Sequence, residues 1–137
     1  LGTRAPLLLL DEPLASLDPL ARRDFLTTLV ADIRERGATA LLSSHIVTDV
    51  EQACDRIVVL ADGRLILDAA VAVARAQFRT VSAVDLNGAP SIGTFAGPDG
   101  TLLALVSDTS VGRPASLEEI VLGHLAAGRT QRLAEAS

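Results

Sequence analysis

The sequence predicts an α/β fold: a parallel sheet with flanking helices, followed by a small β-rich appendage and a helix. Three observations point there. An apolar run without alternation, residues 7–10 (LLLL), ends abruptly in Asp11 and Glu12 and is stopped by Pro13, as expected of a short strand covered on both faces. A helical pattern opens at Asp18-Pro19, and a second apolar run then delivers Ser43, Ser44 and His45. Strand, helix, strand is the crossover unit of a parallel sheet, and ligands of such sheets sit beyond the carboxyl ends of the strands.

Each element has its own signal. Asp18 is a good N-cap, worth about 1 kcal/mol, and Pro19 suits the first helical position because its missing N–H costs nothing there. Phe25, Leu26, Leu29, Val30 and Ile33 recur at helical spacing, with Arg22, Arg23, Asp32, Arg34 and Glu35 on the wet side. Gly37 ends this helix, and residues 38–44 form the second buried strand. Residues 47–54 read as a short helix. Asp62-Gly63 is a two-residue hairpin turn between residues 56–61 and 64–68, and the Ala-rich residues 69–78 read as helix.

From Thr80 the texture changes. Asn87-Gly88 and Gly97-Pro98-Asp99-Gly100 are turn signals between β-prone runs at 80–86 and 102–106. Ser116-Leu117-Glu118-Glu119 is a capping box, followed by Leu117, Ile120, Val121, His124 and Leu125 on one helix face, with the last residues expected to fray. A soft boundary near residue 79 separates a parallel α/β piece, 1–79, from a C-terminal accessory region, 80–137.

Composition narrows the function classes. A chain of 137 residues with 49% hydrophobic content and a mean hydropathy of +0.39 is a folded body rather than a disordered tail. Aromatics are only 2%, so the core is built from Leu, Val, Ile and Ala. A net charge of −5 argues against nucleic acid as partner, since phosphate binding needs a basic patch. The single cysteine, Cys54, excludes an internal disulfide, and no apolar run reaches the length of a membrane span. The chain has no Met and starts at Leu1, so it is expected not to be a complete translation product. All twelve basic residues are Arg; any chemistry that needs a lysine must find it elsewhere.

Asp11 and Glu12 either begin a solvated loop or form half of a metal-assisted site. Mg²⁺ takes hard oxygen ligands, usually one or two carboxylates plus substrate phosphates, which suits Asp11. On an extended backbone the side chain of Glu12 points away from that of Asp11, so it is free to act on a water as base or positioner. His45 caps the next helix, is satisfied in the core, or bonds a terminal phosphate and the attacking water. Asp18 is explained as a cap, although its loop, with Ser16, can also meet a partner's nucleotide. His124 and Cys54 read as packed residues, and the Arg22-Arg23 pair as a solvated face.

Taken together, LLLLDEP resembles the Walker B strand of ATP-binding cassette (ABC) ATPases, ASLDP their D-loop and LLSSH their H-loop. CDRIVVLADGRLILD is similar to the strand and hairpin that follow, so the resemblance spans about residues 5–68. SLEEIVLGHL resembles the tail of exporters that pair a cassette subunit with a separate membrane protein. The resemblance implies a partial P-loop NTPase-type fold binding ATP and Mg²⁺. By it, Asp11 reaches the metal, Glu12 acts on the hydrolytic water and His45 senses the γ-phosphate. Ser16 and Asp18 contact the partner across a sandwich dimer. It further implies a second ATPase subunit, a transmembrane permease, and a place on the cytoplasmic side of the plasma membrane.

The departures carry expectations too. A phosphate-cradling loop needs G-x-x-x-x-G-K-[ST], which a chain without lysine cannot supply, and the family's signature segment and Q-loop are missing. Those parts are expected upstream of Leu1, leaving a C-terminal fragment that binds ATP poorly and exposes an aggregation-prone sheet edge. The expected function is the ATP-hydrolysing subunit of a bacterial exporter. Its rivals are a cassette ATPase that moves no solute and a catalytically dead remnant serving as an interaction module.

Overall fold

Strand β1 (Leu7–Leu10) and strand β2 (Thr39–Leu42) pair in parallel, with Leu7 opposite Thr39 and Leu10 opposite Leu42. The computed structural model describes residues 6–137. Residues 1–5, which include Ala5 at the start of the span that resembles the cassette family, lie outside them. Helix α1 (Pro19–Arg36) connects the strands. Its start is fixed as the sequence predicts: Asp18 Oδ1 accepts the Ala21 N–H at 2.9 Å. Its end is fixed by Gly37, at φ 62°, where the Gly37 and Ala38 N–H groups return to Arg34 and Ile33 carbonyls. Helix α2 (Val47–Ala53) completes a first compact unit, Leu1–Cys54.

Leu14 and Leu26, 3% and 1% exposed, are the buried apolar residues of this unit among those described. Fully burying one such side chain is worth about 1.5–3 kcal/mol. The expectation that both strands are covered on both faces is not met among the described residues. Leu7, Leu9 and Leu41 are 61%, 69% and 62% exposed, while Leu8, Leu10, Ala40 and Leu42 are half-buried. The pleat sends alternate side chains to opposite faces whatever their chemistry, and a run of four leucines hides that alternation from the sequence.

The second unit, Asp55–Ser137, begins with a hairpin of β3 (Arg56–Ala61) and β4 (Arg64–Ala70). Asp62 and Gly63 turn it at φ 51° and 72°, the double positive φ that makes Asp-Gly favoured there. Helix α3 (Val71–Gln77) is shorter than the expected 69–78, because Ala69 and Ala70 pair with Ile57 and Arg56 instead. A four-stranded antiparallel sheet follows, in the order β6-β7-β5-β8. Its strands are β5 (Arg79–Ser82), β6 (Gly93–Ala96), β7 (Leu102–Val106) and β8 (Arg113–Pro114). The run expected to be strand across 80–86 breaks after Ser82 into a 3-10 turn, Ala83–Leu86.

Helix α4 (Leu117–Glu135) closes the unit. Its capping box is formed: Ser116 Oγ accepts the Glu119 N–H at 3.2 Å, and Glu119 Oε2 accepts the Ser116 N–H at 2.9 Å. Leu117, Ile120 and Val121 are buried, together with Leu105 and Ala104 of β7 and Ala74 of α3. The helix can lie this close because residue 123 is glycine; a methyl there would sit 2.5 Å from Leu105 Cβ. His124 packs edge-on against Phe78 at 5.1 Å, as the sequence predicts for a packed histidine. The expected fraying is absent through Glu135, where Arg132 pairs with Asp62 and Arg64 with Glu135. The boundary expected near residue 79 falls inside this unit, because β3, β4 and α3 all pack against α4.

Candidate functional site

The parallel ladder continues one residue beyond the strands: the Ser43 N–H donates to the Leu10 carbonyl at 2.9 Å. That bond carries Ser43 alongside the two carboxylates that follow Leu10. The Ser43 hydroxyl donates to Asp11 Oδ1 at 2.7 Å and accepts the Glu12 N–H at 2.8 Å. One side chain from β2's end thus holds both a carboxylate and a backbone amide from β1's end. Two residues on, His45 Nδ1 lies 3.0 Å from Glu12 Oε2.

Glu12 departs from expectation in its backbone. It is not extended but left-handed, at φ 44°, a conformation that costs a non-glycine residue about 1–3 kcal/mol. Strand β1 ends at Leu10, so the alternation argument that sent Glu12 away from Asp11 does not apply beyond it. The bonds from Ser43 and His45 hold the residue there. The chain then coils through two successive turns, with the Ala15 N–H on the Glu12 carbonyl at 3.2 Å and the Leu17 N–H on the Leu14 carbonyl at 3.1 Å.

Of the residues singled out in the sequence, Asp11, Glu12 and His45 come together. Ser16 and Asp18 do not join this hydrogen-bonded group. Both are exposed, and the Asp18 carboxylate serves the helix cap. His45 is not a cap for α2: Ile46 holds the cap position, and its N–H donates to Ser44 Oγ at 3.1 Å. The rim is open, with the side chains of Glu12 and His45 41% and 70% exposed.

Three residues were missed by sequence reasoning. Ser43 sat in a run read only for its histidine. Arg22, taken for a solvated residue, is half-buried, its guanidinium reaching the Leu14 and Leu17 carbonyls at 3.4 Å each. Asp49 is 5% exposed, facing Arg22 at 3.8 Å. Helical spacing alone places Arg22 near the polar stripe, and nothing local links it to an acid 27 positions away.

Chemically, the rim offers one carboxylate oriented by a hydroxyl, a second paired with an imidazole, and a strained backbone that fixes them. Among the described residues, no group of three or more His, Cys, Asp or Glu is placed to hold a metal ion. A magnesium ion needs fewer, because waters and substrate phosphates fill the remaining positions. Asp11 suits it as a single hard oxygen donor.

No protein-family model matches the chain. It is 42% identical over 72 residues to the thiamine import ATP-binding protein ThiQ of Jannaschia sp., covering 53% of this chain and 31% of that protein. It is 45% identical over 73 residues to the aliphatic sulfonates import ATP-binding protein SsuB of Cupriavidus necator, covering 53% and 24%. It is 35% identical over 79 residues to the energy-coupling factor transporter ATP-binding protein EcfA2 of Clostridium perfringens, covering 58% and 28%. The chain therefore spans less than a third of the length of these curated relatives. Over roughly half of its own length it is homologous to ATP-binding subunits of ABC transporters, consistent with a partial nucleotide-binding domain and with the mixed α/β architecture. No helix among the described residues is long and apolar enough to cross a membrane.

Proposed function

We propose that this chain supplies the hydrolytic edge of the ATP-binding subunit of an ABC transporter, in which ATP hydrolysis is coupled to transport. The observation that carries the reading is the group Asp11, Ser43, Glu12 and His45 at the carboxyl ends of two parallel strands, in a chain homologous to such subunits. In this reading residues 7–13 are the Walker B segment, 15–19 the D-loop and 41–45 the H-loop, all within the first compact unit.

Asp11, its carboxylate held in one orientation by the Ser43 hydroxyl, would hold the Mg²⁺ that accompanies ATP. That ion would supply charge neutralisation at the phosphates. Glu12 orients the attacking water and accepts its proton. His45, at 3.0 Å from Glu12, bonds that carboxylate and would meet the terminal phosphate of bound ATP. Ser16 and Asp18 stand on the exposed loop beyond, where they meet the nucleotide of a second subunit. An exposed rim cannot exclude water by itself, and electrostatic catalysis is strongest where water is excluded. This supports a partner ATPase subunit closing over it in a sandwich dimer. The relatives' transport names support a transmembrane permease that holds the pair at the cytoplasmic side of the plasma membrane.

The exporter reading rests on SLEEIVLGHL alone. The relatives named for a solute are import proteins, so the reading is proposed here as transport-coupled ATP hydrolysis, with export as one direction of it. The test is hydrolysis by the full-length gene product in the presence of its membrane partner. Turnover is expected with Mg²⁺ and is lost on chelation with EDTA. A product that binds no ATP in either condition contradicts the reading.

A further inference from the structure

Arg22 stands at a junction that the hydrolytic reading does not use. Its guanidinium lies on α1 and meets two carbonyls of the loop that leaves Glu12, those of Leu14 and Leu17, at 3.4 Å each. On its other side stands Asp49 of α2, the helix that begins just after His45, with Nε and Oδ2 3.8 Å apart. Those two atoms are buried, and neither has a hydrogen-bond partner among the described residues. Asp49 is 5% exposed. Two buried charged-group atoms that are close but unbonded need an explanation, because breaking such a pair is costly and merely keeping it is not an evident gain in stability.

The geometry points to one, and it rests on the hydrolytic reading above: we propose that Arg22 and Asp49 are positioning residues that set the loop bearing Glu12 against the helix following His45. These three contacts of the guanidinium are all long, so the joint is held loosely and can tighten by under about 1 Å to form the Nε–Oδ2 hydrogen bond. Only arginine suits the post. Its planar fork serves carbonyls and a carboxylate at once, whereas a lysine ammonium is a compact point charge. The pair acts through Glu12 and His45 and touches no substrate.

The test uses the full-length gene product. Arg22→Ala and Asp49→Asn are each expected to lower kcat for ATP about 10- to 100-fold, the scale of an approximately 1 Å misplacement of reacting groups, with ATP KM changed less than about twofold. Arg22→Lys is expected to recover only part of the loss. The double variant should be no slower than the worse single one, as for residues that act as a unit. A second readout needs no turnover: the ring resonances of His45, assigned by their loss in His45→Gln, are expected to move in Asp49→Asn while those of His124 stay in place.

Either variant folding with wild-type kcat, or losing melting temperature while kcat per folded molecule stays unchanged, overturns the proposal. If Arg22→Ala does not fold, Asp49→Asn alone decides, since it keeps shape and removes only the charge. Glu12→Gln, run in parallel, separates the two levels. If that variant stops hydrolysis and the Arg22 and Asp49 variants do not slow it, this proposal fails and the hydrolytic reading stands. If Glu12→Gln hydrolyses normally, the hydrolytic reading fails and takes this proposal with it.

Discussion

Glu12 and His45 are 33 positions apart, yet His45 Nδ1 lies 3.0 Å from Glu12 Oε2. The sequence separation is bridged by one parallel strand pair, whose in-register ends leave both residues at one rim. Ser43 completes the link, because it is bonded to Leu10 on the ladder and to Asp11 and Glu12 beyond it.

Removing that hydroxyl should separate its positioning role from stability. Its bonds are exposed to water, so Ser43→Ala is expected to cost no more than about 1 kcal/mol of folding free energy. The same change frees the Asp11 carboxylate and the left-handed Glu12, and kcat of the full-length gene product should fall about tenfold or more. Ser43→Thr, which keeps the hydroxyl, should stay within a few-fold of wild type. Thermal melting and steady-state hydrolysis on the same preparations check both halves.

The second unit carries its own pH signature. Arg113 bonds Glu119 through both carboxylate oxygens, at 2.9 and 2.5 Å, with the Ser116 N–H and the buried Thr80 hydroxyl adding to it. Against the opposing effect of burial, these lower the Glu119 pKa to about 2, the Arg113 bond contributing most. A folded-state pKa below the unfolded one means stabilisation that is fully present above the ordinary glutamate range, near pH 4.5, and lost as pH falls towards 2. Glu119→Gln is therefore expected to lower stability at pH 7 by about 1–3 kcal/mol. Its deficit against wild type should shrink as pH falls from 5 to 2. Urea midpoints across that range read the difference; a deficit that stays constant with pH contradicts the assignment.

What the sequence revealed and what it hid follow from the range of each cause. The caps at Asp18 and Ser116, the glycine stop at Gly37 and the Asp62-Gly63 turn are short-range devices, fixed by a few adjacent residues, and all were legible. So were the acids and the imidazole at the rim, because each ends an apolar run. The left-handed Glu12 was not legible, since it depends on a bond from Ser43, 31 positions away. The Arg22–Asp49 junction was hidden for the same reason: each residue looks like a helix surface charge until the helices are packed. Strands β6 and β8 were missed because GTFA and the pair Arg113-Pro114 are too short to show a period. The end of β5 at Ser82 and the length of α4 were set by tertiary partners rather than by propensity.

The central claim is that Glu12 acts on the hydrolytic water at a rim built by two parallel strand ends. The most direct measurement is ATP binding and hydrolysis by Glu12→Gln in the full-length gene product, assayed side by side at saturating Mg²⁺. The account predicts ATP affinity within a few-fold of wild type and turnover reduced at least about 100-fold, within the range expected for loss of a general base. Turnover close to wild type would contradict it.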